Sequence, residues 1–219
     1  MILMINKNYN SIKTIFIDLD NTLYEKEKGL LTEVSRRIDL FTSNRFKGMK
    51  NIEKYRKNLF YKYGTTLKGL TIEEDVDPEE YFKFVNDINI EDFLERDEEL
   101  INVLGGIEQE KIIFTNSPRE YALNVLKVLG VEKFFSNIVD IRYLDFIPKP
   151  NEGAFKKLFE QGIKPEESMI LDDYEHNLKP AKGLGMTTVL VGNNKSNNQP
   201  YIDYCIKDIK DIKEIKKIL

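Results

Sequence analysis

The strongest constraint on how this chain can fold is a series of short, almost wholly apolar runs, each ending in polar residues and separated by segments of helical periodicity. "SIKTIFIDL" (11–19), "KIIFT" (111–115), "SMIL" (168–171) and "TTVLV" (187–191) lack the strict alternation of a half-exposed strand. Continuous apolarity of this kind marks parallel strands covered on both faces. In "SPREYALNVLKVLG" (117–130), Ser117 is expected as N-cap, Pro118 at the first helical position, Glu120 as the partner in a capping box and Gly130 as the stop. Ala122, Val125, Leu126 and Leu129 share one face of that helix. A second helix is expected from about Asn151, with Phe155, Leu158 and Phe159 inward and Gly162 at its end, and "NIVDI" (137–141) is expected as a further strand. Strand and helix alternation with right-handed crossovers gives an α/β, doubly wound parallel sheet.

Residues 25–97 break the rhythm, because helical periodicity continues there without strands. Tyr55, Leu59, Phe60 and Tyr63 make one face, read as core rather than as a stacking platform, and "DPEEYFKFV" starts with Asp77 as cap and Pro78 in the first turn. "YGTTLKGL" (63–70) reads as a break between helices with two glycines. The expected organisation is an α/β core from 1–24 and 98–219 with a helical insertion at 25–97 after the first strand. "GNNKSNNQP" (192–200) is expected as a surface connection, and "IKDIKDIKEIKKIL" (206–219) as an amphipathic helix packed by its isoleucines.

Composition narrows the function classes. The chain has 219 residues, enough for one sizeable core with a smaller companion. With 41% hydrophobic and 32% charged residues and a net charge of -4, it has the profile of a soluble globular protein. Acids and bases interleave, so no electrostatic footprint for nucleic acid is present. Cys205, the single cysteine, leaves no internal disulfide and no cysteine-based metal cluster, which fits a cytoplasmic setting, and it is expected as a small buried hydrophobe. "MILMINKNYN" is too short an apolar stretch for a signal peptide or a membrane span.

In open α/β sheets functional groups collect beyond the carboxyl ends of the strands. Asp18 and Asp20 follow the first strand, Thr115 and Asn116 the second, and Asp172 and Asp173 the fourth, while Lys149 lies in "IPKP" after the expected third strand. These acids would repel one another unless a hard cation such as Mg²⁺ sat among them. Lys149 adds a positive charge for a phosphoryl group. Asp18 is then placed to attack phosphorus and form an aspartyl-phosphate, and Asp20 to protonate the leaving oxygen and later deprotonate water.

"DLDNTLY", "TN", "KP" and "DDYEHN", in that order, resemble the four motifs of the haloacid dehalogenase-like (HAD) hydrolase superfamily. "DNTLY", "YGTTLKGL", the "FIPKP" of 146–150 and the "LGMTTVLV" of 184–191 are most similar to its pyrimidine 5'-nucleotidase branch. The resemblance implies a Rossmann-like core and a cap that closes over the site and reads the leaving group. It makes Asp18 the nucleophile and Asp20 the acid/base, with Thr115 and Asn116 on the phosphoryl oxygens and Lys149 orienting the nucleophile. Asp18, Asp173 and the backbone carbonyl of Asp20 would be ligands of Mg²⁺, supported by Asp172 and Asn177. Its implied substrates are UMP or CMP. Thr65 and Thr66 in the cap phrase are candidate leaving-group contacts, although turn chemistry accounts for them equally well. Asn86 stands where relatives often have His, and Asp172-Asp173 where many have Glu-Asp. His176 matches no family role and is expected as a surface helix residue.

A phosphatase or mutase acting on a sugar phosphate is the nearest alternative. A phosphorylatable signalling receiver also uses clustered Asp, a hydroxyl and Lys-Pro, but there the acidic pair precedes the phosphorylated Asp. Nucleic acid and membrane are not expected as partners.

Overall fold

A computed structural model describes residues 12–48, 50–160, 162–192 and 199–215. The apolar runs become β1 (Thr14–Ile17), β2 (Glu110–Phe114), β3 (Asn137–Val139), β4 (Ser168–Asp172) and β5 (Thr187–Val191), joined by β6 (Tyr204–Ile206). All pair in parallel, in the order β3-β2-β1-β4-β5-β6. Central β1 sets Ile17 beside Ile113 on one side and Leu171 on the other. Its residues alternate between two cores. Ile15 and Ile17 face Leu100 and Leu104 of α5 (Glu98–Gly105) and Ala122, Val125 and Leu126 of α6 (Arg119–Leu129), when helices are numbered in chain order. Phe16 faces the opposite layer, with Phe155 of α7 (Glu152–Phe159) and Leu178 of α8 (Glu175–Gly183). Both faces of β1 are thus dry, which is why its sequence shows no alternation.

Between β1 and α5 lie α1 (Leu30–Arg45), α2 (Ile52–Tyr63), α3 (Thr66–Glu74) and α4 (Pro78–Val85). They bury a third cluster of their own, with Phe41, Leu59, Leu70 and Tyr81 at its centre, joined by Ile141 from the loop after β3. Asp77 caps α4 by accepting the Glu79 N–H at 3.0 Å, as its sequence predicts.

Five expectations are corrected. Ser117 does not cap α6; Pro118 takes that place, and Asp140 from the end of β3 accepts the Arg119 N–H at 3.0 Å. Glu120 binds Arg142 instead of completing a capping box. The break in "YGTTLKGL" is confined to Gly64 (φ 87°) and Thr65, and Gly69 packs inside α3 against Leu59. Among the described residues, 204–215 are not one amphipathic helix: an edge strand comes first, then a 3-10 turn over Ile209–Ile215 that buries Ile209, Ile212 and Ile215. Cys205 is exposed, on the outward side of that edge strand. The first eleven residues, most of the 192–200 connection and the last four residues lie outside the described residues. Among those described, no helix is long and apolar enough to cross a membrane.

Candidate active site

Asp18 ends β1 at the point where the chain crosses from one side of the sheet to the other, and its N–H donates to Leu171 O of β4 at 2.9 Å. Lys149 reaches it from the loop before α7. The ammonium, buried to 1% side-chain exposure, donates to Asp18 Oδ1 at 2.7 Å, Asp172 Oδ2 at 2.8 Å and Phe114 O at 2.8 Å. All three donors are spent, so the lysine is a fixed strut rather than a mobile charge. Burial opposes its charge, but Asp172 and Asp18 outweigh burial and hold the ammonium above its ordinary proton affinity.

Asp18 Oδ2 carries only a long bond, 3.3 Å from the Thr22 hydroxyl, and is the less committed of its two oxygens. Thr22 also accepts the Asp173 N–H at 3.1 Å, tying the turn after β1 to the end of β4. Burial pushes the Asp18 carboxyl well above the usual range against the pull of Lys149, and Asp172 and Asp173 push the same way. Asp173 rises to about 6, through burial and then the Asp172 charge.

Asp20 faces a different environment. Tyr24 and Tyr121 donate to its Oδ1 at 2.5 and 2.9 Å, and Ser117 to its Oδ2 at 3.0 Å. Burial raises its proton affinity, and the three hydroxyls pull it partly back. Both tyrosines are themselves held protonated by burial and by the Asp20 charge. Two neighbouring carboxylates therefore differ in kind: one is braced by an ammonium, the other cradled by neutral hydroxyls.

The remaining sequence candidates differ in what they touch. Thr115 lines the cavity above Asp18, and its oxygen accepts the Ser117 N–H at 3.0 Å. Asn116 grips the Lys149 backbone from both sides, accepting its N–H at 2.8 Å and donating to its carbonyl at 3.1 Å, so its first task here is to place the lysine. Thr65 caps α3 through the Lys68 N–H at 3.1 Å and, with Thr66, lines the same cavity, so the capping role and a place at the cavity wall coexist. His176 lies exposed on α8, stacked on Tyr174.

The acids also form a cation site in chemical terms. Asp18, Asp172 and Asp173 bring one carboxylate oxygen each within 4.8 Å of one another. Asn177 donates to both oxygens of Asp172, at 2.9 and 3.0 Å, which leaves its own Oδ1 buried without a partner, as is Asn21 Oδ1 nearby. Orphaned acceptors beside under-compensated carboxylates fit a hard, hydrated divalent cation, and Mg²⁺ satisfies that donor set. Asp172 already accepts from Lys149, Asn177 and the Tyr174 N–H, which suits it to supporting the site rather than to direct ligation.

Between this centre and the insertion lies a cavity of about 410 Å³. Its far wall comes from α1, α2 and α4 and is largely apolar, with Val34, Ile38, Phe60 and Val85 among its residues and Arg56 as its cation. Phe60 thus leaves the core face assigned to it by periodicity. Thr22, Tyr24, Ser117 and Tyr121 escape a sequence reading because their hydroxyls act through contacts made only after folding. The "NTLY" segment held the one usable signal, since it places Thr22 and Tyr24 within four residues of the acids.

A carboxylate held ready beside a second one that can carry a proton is the equipment of a hydrolytic α/β enzyme. Comparison with known proteins narrows that class, and the chain belongs to the haloacid dehalogenase-like hydrolases, whose family profile matches residues 12–185. It is 29% identical over 199 residues to Phosphate metabolism protein 8 of Saccharomyces cerevisiae, covering 81% of this chain and 61% of that one. It thus spans less than two thirds of the yeast relative's length. Pyrophosphatase PpaX of Bacillus mycoides is 24% identical over 190 residues, with 82% and 83% covered. Among solved structures, the HAD-hydrolase YfnB of Bacillus subtilis, determined with magnesium bound, shares the fold at a TM-score of 0.63 and 16% identity, covering 95% of this chain and all of that one. A HAD phosphatase from Thermococcus onnurineus does so at 0.60 and 18%, with 94% and 99% covered.

Proposed function

We propose that this chain is a phosphomonoesterase that works through an aspartyl-phosphate on Asp18, with pyrimidine nucleoside 5'-monophosphates, UMP or CMP, as substrates. The observation that carries the chemistry is the fixed Lys149 strut, which holds Asp18 Oδ1 and leaves Oδ2 with only a long hydrogen bond, in a residue that lines the cavity. Asp18 Oδ2 attacks phosphorus as the bond to the leaving oxygen breaks, and Asp20 gives that oxygen a proton. Water then attacks the phosphorus, Asp20 takes the water's proton, and the bond to Asp18 breaks to release phosphate. The Thr115 hydroxyl donates to a phosphoryl oxygen during both transfers, and Asn116 acts by keeping Lys149 in register. Mg²⁺, held by Asp18, Asp173 and the Asp20 carbonyl and supported by Asp172 and Asn177, would neutralise charge on the phosphoryl oxygens when bound.

The nucleotide rests on the branch resemblance at 63–70, 146–150 and 184–191, and the cavity supports it. Pyrophosphate, the substrate in a relative's name, carries no apolar group to fill the wall formed by Val34, Ile38 and Val85. In this reading residues 25–97 act as the cap over a core made of 1–24 and 98–219, Thr65 and Thr66 lie at the leaving-group side, and the setting is cytoplasmic. The test is phosphate release from UMP, CMP, glucose 6-phosphate and pyrophosphate, each with and without Mg²⁺. Turnover of the nucleotides that Asp18→Asn abolishes is expected. Equal turnover by the Asn variant would overturn the mechanism, and a preference for the sugar or for pyrophosphate would overturn the substrate.

A further inference from the structure

The cavity has a polar end that the phosphoryl chemistry does not use. Arg56 of α2 lies in its wall with 14% of its side chain exposed. One Nη2 proton goes to Ser35 Oγ at 2.7 Å. Nε lies 2.8 Å from Asp39 Oδ1, but the approach is misaligned, and both atoms are buried without a proper hydrogen bond. The Nη1 donors of the guanidinium are unspent among the described residues. Tyr81 of α4 lines the same end at 5% exposure, and its hydroxyl also has no hydrogen-bond partner there. Its proton is held tightly, by burial first and with the opposing charges of Arg56 and Asp39 both acting on it. A guanidinium with free donors and a protonated phenol therefore share a cavity wall in which Val34, Ile38 and Val85 supply most of the remaining surface from α1 and α4.

Neither Nη1 nor the Tyr81 hydroxyl is sealed off as the Arg56 Nε is, so both stay accessible at the cavity wall to an acceptor on a ligand. A polyhydroxylated leaving group would strand most of its hydroxyls against Val34, Ile38, Val85 and Ile141. A planar ring with a carbonyl or carboxylate at its far edge would be satisfied along its length. We propose that Arg56 and Tyr81 are the specificity-determining residues of this site, donating to a ring-borne carbonyl or carboxylate acceptor at the end of the leaving group distant from phosphorus. This rests on the phosphomonoesterase reading and gives its pyrimidine preference a physical basis, since both bases carry the C2 carbonyl, which lies beyond the ribose from phosphorus.

The experiment compares kcat/KM for UMP with that for phenyl phosphate, whose ring has no acceptor, and for 4-carboxyphenyl phosphate with the same reference, in wild type, Arg56→Gln, Arg56→Lys and Tyr81→Phe. The expected result is a fall of about 10- to 100-fold in the UMP to phenyl phosphate ratio for Arg56→Gln, carried by KM, from loss of a charge-assisted hydrogen bond. Tyr81→Phe, which removes one oxygen and keeps the ring, loses about 3- to 10-fold, and Arg56→Lys falls between. Ratios are taken within each variant, so a general loss of folded protein cancels. An unchanged ratio in Arg56→Gln and Tyr81→Phe would overturn the inference while leaving the nucleotide reading intact. Wild type that ignores UMP and CMP but prefers 4-carboxyphenyl over phenyl phosphate, with the preference lost in Arg56→Gln, would overturn the nucleotide and keep the inference. Wild type that splits none of these esters overturns both.

Discussion

Lys149 Nζ lies 2.7 Å from Asp18 Oδ1 although 131 positions separate the two residues in sequence. The same ammonium neutralises Asp172, so one cation braces two buried carboxylates. Removing it leaves both charges stranded, and breaking a buried pair from one side typically costs about 3–5 kcal/mol. Lys149→Met, which keeps the chain length and loses the charge, should therefore lower stability by about that amount in urea unfolding. It should also abolish phosphate release. A variant as stable as wild type would show that the strut is not structural.

Divalent cation should act in the opposite sense. Burial first, and then the charges of neighbouring aspartates, raises the proton affinities of Asp18 and Asp173 against the pull of Lys149, so both carboxylates gain from a further cation. Mg²⁺ at a hundredfold excess over its dissociation constant should stabilise the fold by about 2.7 kcal/mol through mass action alone. Thermal melts of chelated protein with and without added Mg²⁺ read this directly. Asp173→Asn should shrink the Mg²⁺-induced rise in Tm, whereas an equal rise in the variant would remove Asp173 from the ligand set.

How much of this was legible beforehand differs by residue. Asp18, Asp20, Lys149, Asp172 and Asp173 were, because strand ends in a parallel sheet are fixed by the apolar runs before them, and acids there have few structural excuses. Ser117 was misread because "SPRE" matches a capping box locally; Asp140, 23 positions away, took the cap and freed the hydroxyl for Asp20. β6 was hidden because an edge strand needs only one dry face, and its last residue, Ile206, opens a longer isoleucine pattern that suggests a helix. The polar end of the cavity could not be read at all: Ser35, Asp39, Arg56 and Tyr81 come from three helices, and each looks like an ordinary helix residue in isolation.

Asp97 links the C-terminal segment to the core. It caps α5 by accepting the Leu100 N–H at 2.9 Å and pairs with Lys210 at 2.9 Å. Burial would raise its proton affinity, but these partners outweigh it and hold the carboxyl below the usual range. A carboxyl lowered in the folded state stabilises fully above its unfolded pKa and loses that contribution as pH falls through the folded value. Asp97→Ala should thus cost about 1 kcal/mol near pH 7. Its deficit against wild type should narrow in acid, below about pH 4. Chemical unfolding at pH 7 and pH 3 checks this, and a deficit independent of pH would assign the loss to packing rather than to the charge.

Arg142 clasps the helical insertion to the core. Its Nε and Nη2 donate to Glu79 of α4 at 2.7 and 2.6 Å, while Nη1 and Nη2 donate to Glu120 of α6 at 2.8 and 2.9 Å. The guanidinium also lies 5.1 Å over the ring of Phe82, which lines the cavity. A single exposed ion pair would contribute little, but a bidentate arginine shared between two carboxylates is pre-organised and loses less side-chain freedom. Its removal should therefore loosen α4 without unfolding the sheet. In Arg142→Ala, amide exchange in α4 should quicken about 5- to 10-fold, equivalent to about 1 kcal/mol of local protection, while β1 and β4 keep theirs. Salt distinguishes a clasp of charge from one of shape: raising ionic strength to 1 M should speed α4 exchange in wild type toward the variant's rate and leave the variant nearly unchanged, because the screening length falls to about 3 Å. Equal salt responses in the two proteins would place the attachment of the insertion in the contact between Ile141 and its apolar cluster instead.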